Sequence, residues 1–237
     1  MMDIRDMHYD FAIKYNKVDS NGNEHLEIPE IDWLLNEAQE MYIRNIAEPF
    51  SNKFHGFELN QRTIDSISPI VKTEDITIVS NSYAELPEDY FFYVNGIVTM
   101  SRGKCLNKTG LLLIKQHDDE FLFDSFQKSS FEWRELVANF EERGLVIYPE
   151  DFIVNKIALT YLKKPEYLHN AEDFNPGGGY ELPSGKSLLY RSHCIFKEDV
   201  CKDIVDIAVM LAAQNTGIVP KYNLKMNKLK IKQIYNE

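Results

Sequence analysis

The chain has no long hydrophobic run and little cysteine, and each shortage excludes a class of protein. Its 237 residues contain no stretch of about 18 consecutive apolar residues, so we predict no transmembrane helix and no membrane partner. The first residues, MMDIRDMHYDF, carry acidic side chains where a signal peptide carries basic ones, so we expect synthesis in the cytoplasm. The three cysteines, Cys105, Cys194 and Cys201, match neither a disulfide framework nor paired zinc ligands, and we expect reduced thiols.

The composition is that of a folded, acidic protein with a basic end. Hydrophobic residues make up 44% and aromatic residues 12%, enough to bury the core of one large or two small domains. The net charge is −11, but residues 221–237 carry five lysines against one glutamate, so this +4 segment leaves the first 220 residues at −15. An acidic body repels nucleic acid, so we expect no duplex DNA to bind over most of its surface.

Apolar side chains recur every three to four residues near both ends of the chain, which predicts helices there. Residues 3–16 and 29–48 each carry one such stripe, and NQRTIDSISPIV predicts a shorter third helix. Residues 198–214 predict the last helix, with Glu198 and Asp199 placed to complement its dipole.

The middle of the chain has the pattern of β-strands. From Asp75 onward, ITIVS, YFFYV, GIVTMS and TGLLLIKQ are short β-rich runs separated by turn residues. Residues 129–143 predict a short helix that interrupts them. A strand then follows whose one face is predicted to hold Ile153, Asn155, Ile157, Leu159 and Tyr161. Residues 166–187 are rich in Gly, Pro and Asn and predict a long loop, either a binding element or a mobile one.

This order predicts an α+β fold, with a bundle of N- and C-terminal helices, a central β-rich region and an extended C-terminal tail. We place the bundle at residues 1–72 together with 198–217. The β-rich region, with its short helix and its Gly-rich loop, takes residues 73–197, and a basic arm takes residues 218–237.

Two motifs suggest a ligand site, but each departs from the required pattern. Gly185-Lys186-Ser187 has no glycine five positions before it and precedes a strand-like run, whereas a P-loop needs both that glycine and a following helix. Residues 19–30 place oxygen-bearing side chains as a calcium loop does, yet Glu24 stands where glycine is required. A loop and a helix-to-helix turn explain these two segments better.

Other groupings of reactive side chains are also incomplete. His193, Cys194 and Cys201 offer three zinc ligands without a fourth. Residues 117–120, HDDE, are more typical of a solvated turn than of an acid–base cluster. We therefore expect no catalytic residue, no metal site and no cofactor.

The C-terminal arm and one aromatic run are the candidate contact surfaces. Lysine alternates with Leu229 and Ile231 at the strand period, so the arm either adds to a neighbour's sheet edge or forms a solubilising terminus. Tyr90–Tyr93 are four consecutive aromatic residues, which cannot all face one side of a strand. The residues that we expect to contact other proteins are Trp33, Tyr42, Tyr90, Phe92, Tyr222, Lys225, Leu229 and Lys232.

The order of several segments resembles a known family. These segments are MHYDFAIKYNKVDSNG, then IPEIDWLLNEAQEMYI, then LPEDYFFYV, and finally DVCKDIVDIAVMLAAQ after ALTYLKKP. Together they resemble the head-to-tail connector (neck ring or adaptor) proteins of tailed bacteriophages, most closely those of crAss-like phages. The resemblance covers most of the chain but not the Gly-rich loop near residues 174–187.

The resemblance implies a non-enzymatic virion protein of the phage neck. Its helices would stack side by side in a ring of about twelve copies, its arm would reach the portal protein, and adjacent neck or tail ring proteins would be further partners. The acidic body would form a channel wall past which DNA moves without sequence-specific binding. The alternatives are another phage tail or virion component, and a ligand-binding protein or enzyme without a readable motif.

Overall fold

The computed structural model describes residues 2–16, 26–47, 61–114, 128–141, 144–175 and 178–215. The chain divides into two compact units, a helical unit of residues 1–69 and 165–237 and a sheet unit of residues 70–164. The fold is mixed α+β with a large, mostly antiparallel sheet, which confirms the predicted class. The predicted arm at 218–237 lies outside the described residues.

The helical unit contains most of the helices and one small hairpin. Its elements are α1 (Ile4–Asn16), α2 (Ile28–Ala47), α3 (Gln61–Ile67), α4 (Ala171–Phe174), β9 (Tyr180–Glu181), β10 (Ser187–Leu188) and α5 (Glu198–Asn215), with a 3-10 turn at Ser68–Ile70 after α3. The helices predicted at 3–16, 29–48 and 198–214 are confirmed to within one residue at each end. The shorter third helix is confirmed as α3.

The terminal helices share one core because each carries a single apolar stripe. Helix α5 packs against both α1 and α2. The side chains that line this core from α1 are Ile4, Met7, Phe11 and Tyr15, and those from α5 include Val200, Ile204, Val205 and Ala208. The local periodicity therefore predicts which helix faces are buried here.

In the part of the sheet unit that the structure describes, eight strands form one sheet in the order β1-β8-β4-β5-β6-β7-β3-β2. Their bounds are β1 (Val71–Ile76), β2 (Ile78–Ser80), β3 (Tyr83–Glu85), β4 (Tyr90–Arg102), β5 (Cys105–Leu113), β6 (Leu136–Glu141), β7 (Gly144–Ile147) and β8 (Ile153–Lys163). Among the strands of the described ranges, only β5 and β6 pair in parallel. Strands β1 and β2 lie at opposite ends of this order, although only Thr77 separates them in the chain. Its core includes Val98, Met100, Leu136, Ile157 and Tyr161.

Tyr161 connects this core to a charged pair at the sheet surface. Its ring is fully buried, and its hydroxyl donates a 2.6 Å hydrogen bond to Asp89 Oδ1, whose other oxygen accepts from Lys72 Nζ at 3.1 Å. Burial and the bond to Asp89 raise the pKa of Tyr161 to about 12, so the hydroxyl remains a donor at neutral pH.

Replacing Tyr161 with phenylalanine is expected to lower the free energy of unfolding by about 1–2 kcal/mol, because a buried hydrogen bond to a carboxylate is lost. Urea denaturation measures this change. The matched control is Tyr190→Phe, in which the altered side chain is exposed, and its expected effect is under about 0.5 kcal/mol. Equal effects in the two variants would contradict the role given to the Asp89 bond.

The prediction of a short helix at residues 129–143 is wrong. Residues 131–134 form a turn, Arg134 adopts a left-handed backbone with φ of 57°, and β6 begins at Leu136. Leu136, Val137 and Ala138 are all buried, and β6 pairs with β5 on one side and β7 on the other. Non-local pairing therefore overrides the local helical pattern.

The predicted face of the last long strand is only partly confirmed. Ile157, Leu159 and Tyr161 are buried, but Ile153 and Asn155 are exposed and Val154 is buried instead. The cause is a bulge, since consecutive residues Thr99 and Met100 pair with Lys156 and Val154 and leave Asn155 as an extra residue. One extra residue moves every side chain before it to the opposite face.

The described part of the segment predicted as a Gly-rich loop contains secondary structure, and the division of the chain differs from the predicted boundaries. Residues 165–197 group with the helices and contain α4, β9 and β10, whereas the sequence pattern places all of them in the β-rich region. Gly185 has φ of 81° in the turn of the β9–β10 hairpin, where Leu182 N–H donates to Lys186 O at 2.9 Å. A hairpin turn therefore explains the Gly185-Lys186-Ser187 motif.

Candidate functional site

A buried carboxylate is the centre of the helical unit's polar contacts. Asp32 on α2 has 0% exposure, and its Oδ1 lies 2.7 Å from His8 Nε2 on α1. Its Oδ2 accepts hydrogen bonds from the Tyr180 hydroxyl at 2.7 Å and from Asn170 N–H at 3.0 Å. An unpartnered buried carboxylate is costly, and here both oxygens have partners. Asp32 therefore joins two helices to the segment that contains the glycines.

Two further polar residues of α2 bind the same segment. The Asn36 side chain donates to Leu168 O at 2.7 Å and accepts from Leu168 N–H at 2.8 Å, and Gln39 Nε2 donates to Glu166 O at 3.2 Å. Asp32, Asn36 and Gln39 are spaced by four and three residues, so they lie on one face of the helix. This polar stripe is the signal in the sequence for the site, and the prediction missed it because only the apolar stripe of the helix was considered.

The pKa shifts of three side chains near Asp32 favour their neutral forms. Burial, followed by the hydrogen bond to Asp32, raises the pKa of Tyr180, and burial raises the pKa of Tyr167 beside it. Burial also lowers the pKa of His169, which favours its neutral form. This arrangement can position the Gly-rich segment against α2. Both oxygens of Asp32 are engaged by protein groups.

A charged cluster borders this site and fixes α4. Arg5 Nε donates to Asp173 Oδ2 at 2.7 Å, and Arg5 Nη2 donates to Oδ1 at 2.5 Å, a two-point contact. Arg191 Nη2 donates to Glu172 at 2.8 Å and lies 3.5 Å from Asp173. The hydrogen bond from Arg5 is the main cause that lowers the pKa of Asp173 to about 2.

The helical unit is expected to lose stability in acid through Asp173. Its folded pKa of about 2 is below the ordinary value of 3.8, so its contribution is complete above pH 4 and disappears as the pH falls from 4 to 2. Asp173→Asn should therefore be less stable than the parent chain at pH 7 and nearly equal to it at pH 2. Urea midpoints at both pH values measure this, and a constant difference between the two chains would contradict it.

Of the side chains considered as metal ligands or acid–base groups, the structure describes only some. His193 is exposed and lies 3.7 Å from Asp3, whereas Cys194 and Cys201 are buried. Within the part of the chain that the structure describes, no group of three or more His, Cys, Asp or Glu side chains could hold a metal ion. Residues 19–25 of the calcium-like loop and residues 117–120 lie outside the described residues.

The predicted contact residues have different environments. Trp33 is 54% exposed on α2, while Tyr42 packs edge-on against Phe196 with ring centroids 6.4 Å apart. Tyr90 stacks on Phe140 at 5.8 Å within the sheet unit, and Phe92 packs against its neighbour Phe91 at 4.6 Å. Tyr222, Lys225, Leu229 and Lys232 lie outside the described residues. Trp33 is thus the most available of the four that can be located, and Tyr42 and Tyr90 also have packing roles.

The more exposed of the two tryptophans, Trp133, was not among the predicted contact residues. Trp133 is 81% exposed, although the turn that carries it is firmly held. Ser130 and Glu135 exchange two backbone hydrogen bonds of 2.8 and 2.9 Å, and Trp133 N–H donates to Ser130 Oγ at 3.2 Å. Arg102 stacks over the Phe131 ring at 4.9 Å. The sequence signal was hidden because Trp133 fell inside the wrongly predicted helix.

The comparisons with known proteins identify no family. No protein-family model matches the chain, and no curated protein is significantly similar to it. Among the helices of the described ranges, none has the length and apolar character needed to cross a membrane.

Proposed function

We propose that this chain is a structural virion protein that forms a ring in the neck of a tailed bacteriophage, connects the portal to the tail and lines the DNA channel. The observation that carries the proposal is the contrast between the buried polar centre and the exposed aromatic side chains. Asp32 has protein partners on both oxygens, whereas Trp33 and Trp133 are largely exposed on ordered elements. This contrast supports a function performed by interfaces.

Trp133 has the properties of an interface anchor. Tryptophan is enriched among the residues that dominate binding energy, and a side chain on a fixed turn loses little conformational freedom when a partner covers it. Hydrogen bonds from the side chains of Asn107 and Thr109 to Phe131 O and Arg134 O fix the turn from the neighbouring strand. The partners that we propose are further copies of the chain, the portal protein and adjacent neck or tail ring proteins.

The charge distribution supports the same assignment. The first 220 residues carry a net charge of −15, which suits the wall of a channel through which DNA must pass without adhering. The five lysines of residues 221–237 suit an arm that reaches an acidic partner surface, and by the resemblance that partner is the portal. No cofactor enters this function.

Trp133→Ala tests the interface role directly. We expect the free energy of unfolding to change by less than about 0.5 kcal/mol, because the side chain is exposed. Affinity for a further copy or for the portal is expected to fall by about thirtyfold, the usual loss for a dominant interface residue. Trp133→Phe is the matched control and should retain most of the affinity. Unchanged binding by Trp133→Ala would remove this residue from the interface.

The arm is tested by light scattering with the portal protein encoded in the same genome. Full-length chain should enter a large stoichiometric complex, and a chain that lacks residues 221–237 should not. A variant in which all five lysines of residues 221–237 are replaced by glutamine separates the effect of the arm's charge on binding from the effect of its length. Self-assembly without portal binding would favour another tail component, and absence of both would favour the ligand-binding or enzymatic alternatives.

A further inference from the structure

One side of the large sheet carries aliphatic side chains that remain exposed. Four of them, on three neighbouring strands, are between 47% and 68% exposed: Ile97 on β4, Leu106 and Leu112 on β5, and Ile153 on β8. Ser101 pairs with both Leu106 and Ile153, so these three side chains share one side of the sheet. Ile97 lies four residues before Ser101, which places it on the same side. Leu112 follows two residues after Gly110, the partner of Ile97, and so belongs there too.

A row of positive charge crosses this side of the sheet. Lys108 on β5 and Lys156 on β8 both pair with Thr99, so the two lysines stand on either side of it. Lys156 Nζ lies 2.7 Å from Asp75 Oδ2, and Lys108 is exposed. A partner for this surface must supply both apolar contact and carboxylates. We call the four aliphatic residues and the two lysines the sheet face.

The outer side of α2 has the complementary composition. Its outer stripe consists of four residues spaced by three, four and three positions: Glu30, Trp33, Glu37 and Glu40. This spacing places them along one side of the helix. Trp33 and Glu30 are exposed, and Glu40 Oε2 lies 3.6 Å from Arg44 Nη2. The outer stripe therefore offers one aromatic side chain among carboxylates.

The spacings of the two surfaces match. A helix rises about 1.5 Å per residue, so Trp33 and Glu37 are about 6 Å apart along α2. A strand rises about 3.3 Å per residue, so the row of Ile97 and the row of Lys108 are about 7 Å apart along the sheet. Trp33 can therefore lie on Ile97 while the Glu37 carboxylate meets Lys108.

The charge of the chain favours a second copy over the C-terminal arm as the partner of the sheet face. The arm carries five lysines at residues 221–237, which the lysine row would repel. The first 220 residues carry a net charge of −15, so another copy supplies the carboxylates that the row attracts. The sheet face and the outer stripe are different surfaces of one chain, and a contact between such surfaces in two copies can repeat around a ring.

We propose that the sheet face of one copy binds the outer stripe of α2 in a second copy. In this contact Trp33 packs on Ile97 and Leu112, and Glu37 forms an ion pair with Lys108. The contact rests on the proposed function, since it is the link between neighbours that a ring of this protein needs. Each copy uses one surface toward each neighbour, so a variant that lacks one surface still binds through the other.

The test uses two full-length variants that each lack one surface. Trp33→Ala removes the aromatic anchor of the outer stripe, and Ile97→Glu places a carboxylate on the sheet face. Sedimentation velocity should show that the parent chain associates, and that each variant alone associates about thirtyfold more weakly. A mixture of the two variants should form a complex that holds one copy of each and grows no further, because only one intact pair of surfaces remains.

A charge exchange tests the assigned ion pair. Lys108→Glu should weaken association of the chain about tenfold, and adding Glu37→Lys to the same chain should restore it. Lys186→Glu is the matched control, since it makes the same change of charge at an exposed position of the helical unit, and it should leave association unchanged. If Trp33→Ala or Ile97→Glu fails to fold by circular dichroism, the charge exchange decides, and an absence of recovery by Glu37→Lys contradicts the contact.

The contact is also wrong if the parent chain stays monomeric at every concentration, if both surface variants associate as the parent does, or if their mixture forms no complex. Portal binding by the same variants judges the proposed function separately. A ring on the portal that Trp33→Ala does not weaken would contradict this contact and leave the connector assignment standing. Association through these two surfaces without portal binding would support the contact while the connector assignment fails.

Discussion

Replacing Asp32 with alanine is expected to lower the free energy of unfolding by about 3–5 kcal/mol, the range seen when one member of a buried charged network is removed. The Tyr180 hydroxyl, Asn170 N–H and the His8 ring would each lose their carboxylate partner in a buried site. Urea denaturation followed by circular dichroism measures this loss, and hydrogen exchange should show the greatest loss of protection at residues 165–190.

Asp6→Ala is the matched control for that substitution. Asp6 is an exposed aspartate in the first turn of α1, so its replacement is expected to change stability by less than about 1 kcal/mol. A loss below about 1 kcal/mol for Asp32→Ala would mean that water takes the place of the carboxylate as the partner of these three groups, and that the carboxylate does not fix the Gly-rich segment.

Gly179→Ala is expected to destabilise the chain by about 2–4 kcal/mol, because backbone strain and steric overlap act together. Gly179 has φ of 135°, a conformation that side chains rarely adopt, and a Cβ atom there would lie 2.7 Å from the backbone oxygen of Leu188. The neighbouring Tyr180 would then be displaced from Asp32. Urea denaturation reports the loss of stability, and limited proteolysis reports opening of the hairpin.

Gly110→Ala is the control for this second substitution. A Cβ atom at position 110 would lie 3.9 Å from its nearest neighbour, the backbone oxygen of Gly96, and the backbone there does not require glycine. Alanine at this strand position should be neutral or stabilising by up to about 1 kcal/mol. If Gly179→Ala were equally well tolerated, the close packing of the hairpin would not be a determinant of stability.

The helices were predictable because the information that specifies them is local. The apolar stripes of α1, α2 and α5 repeat within single segments, and their ends were predicted to within one residue. Strand β6 was not predictable in this way, since its identity depends on pairing with β5 and β7. The bulge at Asn155 is likewise a property of two paired strands, and no single-strand pattern contains it.

The candidate site was hidden for the same physical reason. Asp32 and Tyr180 are separated by 148 positions, and neither belongs to a recognised motif. The polar spacing of Asp32, Asn36 and Gln39 signalled that one face of α2 binds something polar, but it could not identify the backbone of residues 166–170 as the partner. The phage resemblance rests on segment order, and it remains a prediction.

Electron microscopy of the purified chain mixed with its genomic portal protein tests the central proposal most directly. The account predicts a ring of this protein coaxial with the portal, with the full-length chain present and the chain that lacks residues 221–237 absent from the complex. Portal particles without added density, at concentrations well above those that saturate other neck proteins, would contradict the connector assignment.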